Sequence, residues 1–179
     1  MILSDRSIKA ELANGRIVIN PLEPDCIQPA SVDLHLDREI MSFAGAKGNV
    51  IEPGRSDLAS LLTRVETSSE KPYLLQPNDF VLASTHESIS LPDDIAAKLE
   101  GKSSLGRLGL LIHATAGYVD PGWQGKLTIQ LKNVGVLPIK LASPMKICQI
   151  TFVRTSTGSE RPYGSEGLGS NFQGGQRQI

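Results

Sequence analysis

Between Arg16 and Val153 the chain is a string of short apolar runs of β character, each closed by glycine, proline or a polar turn. The runs fall at 16–19, 31–36, 80–85, 95–99, 110–113, 127–131, 139–141 and 147–153. None is long enough to supply the helices of a bundle. Their near-regular spacing points to an all-β sandwich or barrel. Residues 31–36 alternate with period two, as a half-buried strand does, and Gln76-Pro77-Asn78-Asp79 forms a turn ahead of the run at 80–85. The one clear helix is predicted over 5–14. Ser4 suits an N-cap, Ile8 and Leu12 share a face, and Gly15 stands where a helix C-terminus wants it. Residues 44–57 and 64–72 are rich in Gly, Ser, Lys and Glu and read as solvated loops, with a turn of helix at 58–62 between them. No internal repeat is visible.

The composition agrees with this outline. A length of 179 residues favours one domain. Gly 17 and Pro 11 make 28 of 179 residues, about 16% against a usual share of about 12%. Aromatics are only 4%, so Ile, Leu, Val and Ala must build the core. A formal net charge of −1 offers no basic field for nucleic acid. No apolar run approaches the roughly 18 residues that would span a membrane. The opening Met1-Ile2-Leu3-Ser4-Asp5 lacks the basic start of a signal peptide. The expectation is a cytoplasmic enzyme or binding module. Residues 1–155 read as the β domain, and 156–179, Gly/Ser-rich and hydrophilic, as a tail that composition alone makes mobile.

Cys26 and Cys148 lie far apart and have no metal-ligand spacing. A zinc nucleotide deaminase needs His-x-Glu followed by Pro-Cys-x-x-Cys, and neither half is present. A structural zinc site is equally unsupported by the spacing. Each cysteine reads as a small, buried, reduced hydrophobe. Hydrolysis by such a chain would run on side chains, oriented water and a metal carried in with the substrate.

The residues richest in chemistry lie between Glu100 and Asn133. Gly101-Lys102-Ser103-Ser104-Leu105-Gly106-Arg107-Leu108-Gly109 sets two hydroxyls and two cations among glycines. Such a group can bind an anion, and it is also compatible with a plain capped helix. Its order is not that of a Walker loop. Asp120, in Asp120-Pro121-Gly122, can orient a water and accept a sugar hydroxyl, or simply make a turn. His113, between apolar residues, reads as a satisfied core histidine, and Trp123 reads as packing.

Gly101–Gly109 and Thr115–Gly125 resemble the dCTP deaminase family of the dUTPase superfamily. So do Ile2–Arg6, Gln28–Leu34 and Arg161-Pro162-Tyr163-Gly164-Ser165. The resemblance covers nearly the whole chain and is closest to the bifunctional branch that turns dCTP directly into dUMP. It implies a distorted β-barrel or jelly-roll subunit, a homotrimer with active sites between subunits, and Mg²⁺ bound to the substrate triphosphate. By motif position, Ser103, Ser104 and Arg107 would contact phosphates and shape the deamination site, with Lys102 beside them. Ala116 would hold a water through its carbonyl. Asp120 would engage the sugar 3′-hydroxyl and orient the attacking water. Tyr163 and Gln173 would close over the triphosphate, which makes the tail a lid.

The chain departs from that pattern twice. Where deaminating members carry a Glu, ten residues beyond the Asp of the Asp-Pro-Gly motif, this chain has Gln130. That Glu is the general base toward the water attacking C4 of cytosine. Gln has nearly its shape but cannot take a proton at neutral pH. In the tail, Asn171 and Phe172 stand where the family has Lys and Tyr, although Arg177 follows. The reading is a hydrolase supplying dUMP, with the dUTP diphosphatase step favoured and dCTP deamination in doubt at Gln130. The alternatives are an active dCTP deaminase and a non-catalytic sensor of dUTP or dCTP. Neither nucleic acid nor membrane is an expected partner.

Overall fold

The computed structural model describes residues 1–43, 50–52, 58–113, 116–170 and 172–175. Asn171 and Arg177 lie outside the described residues, as do Thr115 and most of 44–57. Helix α1 (Asp5–Ala13) is followed by β1 (Val18–Asn20), β2 (Ile27–Gln28), β3 (Ser31–Ser42), β4 (Thr63–Glu66), β5 (Tyr73–Leu75) and β6 (Phe80–Ser90). Then come β7 (Ile95–Gly101), a single-turn helix α2 (Ser103–Gly106), β8 (Leu110–Ile112), β9 (Tyr118–Val119), β10 (Gln124–Asn133), β11 (Ile139–Leu141) and β12 (Lys146–Arg154).

Period-two patterning places the core. On β3, Val32, Leu34 and Leu36 are fully buried, and on β10 Leu127, Ile129 and Leu131 face inward. The intervening Lys126, Thr128 and Gln130 are therefore turned to the other face of β10. One ten-stranded sheet runs in the order β8-β10-β6-β3-β12-β7-β9, with β1, β2 and β4 attached at β6 and β3, and β5 and β11 form a separate ribbon. Register shifts bend the strands where β6 carries extra residues between Ser84 and Ser88 opposite Lys126 and Thr128 of β10, and in β12 between Lys146 and Cys148. The sheet curls until its ends meet. A Cβ on Gly101 of β7 would stand 3.1 Å from the carbonyl oxygen of Ile112 on β8, so a larger residue would push the two strands apart by a few tenths of an ångström. The expected mainly β, barrel-like architecture is the one observed.

Several boundaries differ from the sequence reading. β3 and β6 continue well past the alternating segments, because their polar ends still find ladder partners in β4 and β10. Residues 64–72, read as loop, contribute most of β4, which pairs Ile40 with Val65. Ser4 caps α1 through its carbonyl, which accepts the Ile8 N–H at 2.8 Å, and its hydroxyl makes no cap bond. No helix among the described residues is long and apolar enough to cross a membrane.

Phe152 is the one aromatic side chain among the largest fully buried residues of this aliphatic core. Phe152→Ala should therefore lower unfolding stability by about 3–5 kcal/mol, read by chemical denaturation. A loss below 1 kcal/mol would mean the cavity collapses.

Candidate active site

The return from β9 into β10 decides where the chemistry sits. Asp120-Pro121-Gly122 closes a tight turn, with Trp123 N–H donating to the Asp120 carbonyl at 3.2 Å and Gly122 N–H donating to Pro92 at 3.0 Å. Gln130 lies on the outward face of the strand that follows. Strand and turn together wall a cavity of about 440 Å³. Ala116, Asp120, Trp123, Lys126, Gln130 and Tyr163 all line it. The volume is that of a small-molecule site. Asp120 is exposed at the rim and also borders a second cavity of about 330 Å³ lined by Ser159, Arg161 and Ser170.

Trp123 is buried, as packing requires, and is also part of the cavity wall. Its indole N–H donates to the Gly125 carbonyl at 3.1 Å, and its ring meets Tyr163 at a centroid distance of 5.4 Å.

The C-terminal segment docks on this turn. Tyr163 N–H donates to the Pro121 carbonyl at 2.8 Å, and the Gln173 amide donates to the Gly122 carbonyl at 3.1 Å. The Phe172 N–H reaches the Tyr163 hydroxyl at 3.1 Å, and Phe172 lines the main cavity. Tyr163 and Gln173 are thus brought together at the site. Gly122 makes this possible. Its φ is +86°, and a Cβ there would stand 2.6 Å from Pro162 Cβ and 3.0 Å from Tyr163 N. Gly122→Ala should weaken tail docking by about 1–3 kcal/mol, the usual cost of a strained backbone. Faster cleavage after Glu166 by a glutamate-specific protease and altered Trp123 fluorescence would show it; unchanged cleavage would contradict it.

Ser103, Ser104 and Lys102 are not in that cavity. They line a separate concavity of about 490 Å³ with Gly101, Ile112 and Gln149. Arg107 caps the far end of α2 and is exposed, as are Ser103 and Ser104. The turn is firmly held from behind. Lys102 Nζ pairs with buried Asp33 at 2.5 Å, and Gln149 bridges the Ser31 hydroxyl (3.2 Å) and the Gly101 carbonyl (3.3 Å). This explains why the segment around Ser31 and Asp33 belongs with the Lys102–Arg107 segment. Within one chain, then, the expected site residues form two groups.

Two cavity residues were not legible as such. Lys126 shares the outward face of β10 with Gln130, a spacing of four that strand periodicity supplies, and its Nζ pairs with Asp37 at 2.5 Å. Burial alone would raise the Asp37 carboxyl, but hydrogen bonds from Lys126 and the Arg38 N–H outweigh it and hold it below the usual range. His113 is not a satisfied core residue. It follows the end of β8, lines the main cavity, and both ring nitrogens are buried without a partner among the described residues. Cys148 is sealed in the core, where burial pushes its thiol far up and leaves it inert.

The family model described as "dCTP deaminase-like" matches residues 2–155. A relative named "dCTP deaminase, dUMP-forming" from Acidothermus cellulolyticus is 53% identical over 176 residues, covering 97% of this chain and 91% of that protein. A relative of the same name from Beutenbergia cavernae is 52% identical over 174 residues, covering 97% and 90%. Among solved structures, the 2′-deoxycytidine 5′-triphosphate deaminase of Agrobacterium tumefaciens matches with a TM-score of 0.66 at 26% identity. The match covers 84% of this chain and 47% of that one, so this chain spans about half its length. A dUTPase of Staphylococcus bacteriophage 80alpha shares the fold alone, with a TM-score of 0.51 at 13% identity over 80% of this chain and 93% of that one. With the family model matched over residues 2–155 and relatives about half identical along almost the whole sequence, the chain belongs to the dCTP deaminase-like family.

Proposed function

We propose that this chain binds deoxypyrimidine nucleoside triphosphates and forms dUMP, hydrolysing dUTP readily and deaminating dCTP slowly. The observation that carries this reading is the convergence of Asp120 and Gln130 on one cavity that the tail covers. The names of the relatives support dUMP as product and weigh toward dCTP as a substrate. The residue at position 130 weighs against fast deamination.

In the hydrolysis, a water held at Asp120 attacks the α-phosphorus of dUTP. A new O–P bond forms, the bond to the diphosphate leaving group breaks, and the water's proton passes to the Asp120 carboxylate. The same carboxylate accepts the 3′-hydroxyl and so fixes the sugar. Ala116 presents its carbonyl beside the base, and Gln130 meets the base edge with an amide that both donates and accepts. Tyr163 and Gln173 exclude water from the triphosphate side. Mg²⁺ would enter on the triphosphate and neutralise its charge. Among the described residues no group of three metal-ligating side chains stands at this cavity. Deamination needs a proton acceptor for the water that adds to C4 before ammonia leaves. Gln130 cannot be that acceptor, and losing a positioned base typically slows a step about 10²–10⁴-fold.

The second group, Ser103, Ser104, Arg107 and Lys102, would serve the triphosphate of a neighbouring subunit in a homotrimer. An exposed apolar band flanks it: Leu108 (62%), Leu111 (44%), Val136 (89%) and Leu137 (72%). These come together because Gly109 and Gly135 pack backbone on backbone. Such a contiguous patch marks an interaction surface. Shared sites have a sharp signature. Arg107→Ala and Asp120→Asn chains, each inactive alone, should regain activity when unfolded and refolded together in equal amounts, since about a quarter of all sites would then be intact. Activity that stays absent would place both groups in one subunit's site.

One observation favours a second reading, in which deamination persists. His113 offers two unpartnered ring nitrogens to the same cavity and could accept the proton in place of Gln130. His113→Asn would then abolish ammonia release from dCTP while leaving pyrophosphate release from dUTP in place.

A further inference from the structure

The hairpin that leads into the central strand gathers a thiol, an imidazole and a carboxylate that show no metal-ligand spacing along the chain. β2 folds back on β3 with Ile27 opposite Val32 and Gln28 opposite Ser31. The 3₁₀ turn Pro24–Cys26, just before β2, therefore runs beside the stretch of β3 that carries His35. One donor atom each from Glu23, Cys26 and His35 lies within 4.8 Å of the others. None of the three lines the cavities described above.

From this grouping we propose a zinc-type divalent metal site formed by Glu23, Cys26 and His35, separate from the nucleotide pocket and structural in role. His35 is prepared as a ligand. The buried Glu87 carboxylate accepts the His35 backbone N–H at 2.9 Å and meets its Nδ1 at 2.6 Å. That contact directs the proton to Nδ1 and leaves the Nε2 lone pair for a metal, the carboxylate–histidine–metal arrangement of known zinc sites. Cys26 is 1% exposed, and its sulfur contacts Asp25 Oδ1 at 3.8 Å. Asp25 is itself held by Lys146 through Oδ2 at 2.7 Å, so a fourth position falls to water. Glu23 is exposed and closes the group from solvent.

Mixed sulfur, nitrogen and oxygen donors select a borderline-soft ion such as Zn²⁺ over Mg²⁺ or Ca²⁺. Tetrahedral ligation at ordinary zinc distances sets donors about 3.5 Å apart. The exposed Glu23 side chain and the Cys26 turn must draw in by about 1 Å to meet it. On binding, the S–H bond of Cys26 breaks, an S–metal bond forms, and the proton goes to water. The metal would clamp the 23–26 turn to β3 just beside Asp33, the residue that holds Lys102.

Cobalt(II) is the probe. Added to the tag-free full-length chain after chelator treatment, it should bind once per chain. It should then give the intense visible bands of a tetrahedral ion and a near-ultraviolet thiolate charge-transfer band, both displaced by Zn²⁺. Cys26→Ser should remove the charge-transfer band. His35→Gln, which keeps a donor for Glu87, should weaken affinity about 10–100-fold. Cys148→Ala should change neither. A pale octahedral spectrum in the parent chain, or binding unaffected by both ligand variants, would overturn the site. The parent spectrum decides even where a variant fails to fold.

Discussion

Asp120→Asn is expected to lower the rate of dUMP formation from dUTP about 10²–10⁴-fold, the usual worth of a positioned acid–base group. The change keeps the size and the turn. Pro121 still accepts from Tyr163, and Gly122 still accepts from Gln173, so the tail should dock as before. The loss should therefore appear in kcat more than in KM. Trp123, the only tryptophan, sits in the cavity wall against Tyr163, and its fluorescence reports nucleotide binding independently of turnover. The expected variant still quenches or shifts with dUTP yet releases little pyrophosphate. Near-normal turnover would reduce Asp120 to turn chemistry.

Gln130→Glu is expected to raise ammonia release from dCTP by a similar factor, about 10²–10⁴. The side chain stands on a half-buried outward face of β10 with Lys126 four residues earlier on the same face. A carboxylate there would be partly desolvated, with a cation on its own strand. Pyrophosphate release from dUTP should change little, because in the proposed reaction the phosphate end of the substrate would be served by Asp120, the tail and a neighbouring subunit's Lys102–Arg107 segment. Ammonia release that fails to rise would remove Gln130 as the limiting feature and shift attention to His113.

Much of the fold was legible because the inner faces of the strands follow period two. Val32, Leu34 and Leu36 on β3, and Leu127, Ile129 and Leu131 on β10, are buried as alternation predicts. β4 was missed for a physical reason. Thr63-Arg64-Val65-Glu66 is largely exposed and charged, as edge strands commonly are to discourage further pairing, so its sequence has the composition of a loop.

The candidate site was legible where chemistry is carried by adjacent residues, as at Asp120-Pro121-Gly122. It was hidden where the fold alone creates the neighbourhood. Lys126 enters the cavity only because β10 is a strand, and His113 faces it because β8 ends one residue earlier. The tail shows the same limit from the other side. Its Gly/Ser composition describes a mobile segment, yet backbone carbonyls at Pro121 and Gly122 bind it in place. Glu23, Cys26 and His35 become neighbours only through the β2–β3 hairpin.

In the proposed function the pocket makes dUMP while Gln130 restrains deamination. The most direct test incubates the protein with Mg²⁺ and either dUTP or dCTP, and measures pyrophosphate and ammonia separately. Rapid pyrophosphate and dUMP from dUTP are expected, with ammonia from dCTP slower by about 10²-fold or more. Ammonia released from dCTP as fast as pyrophosphate from dUTP would contradict it, and so would the absence of both products.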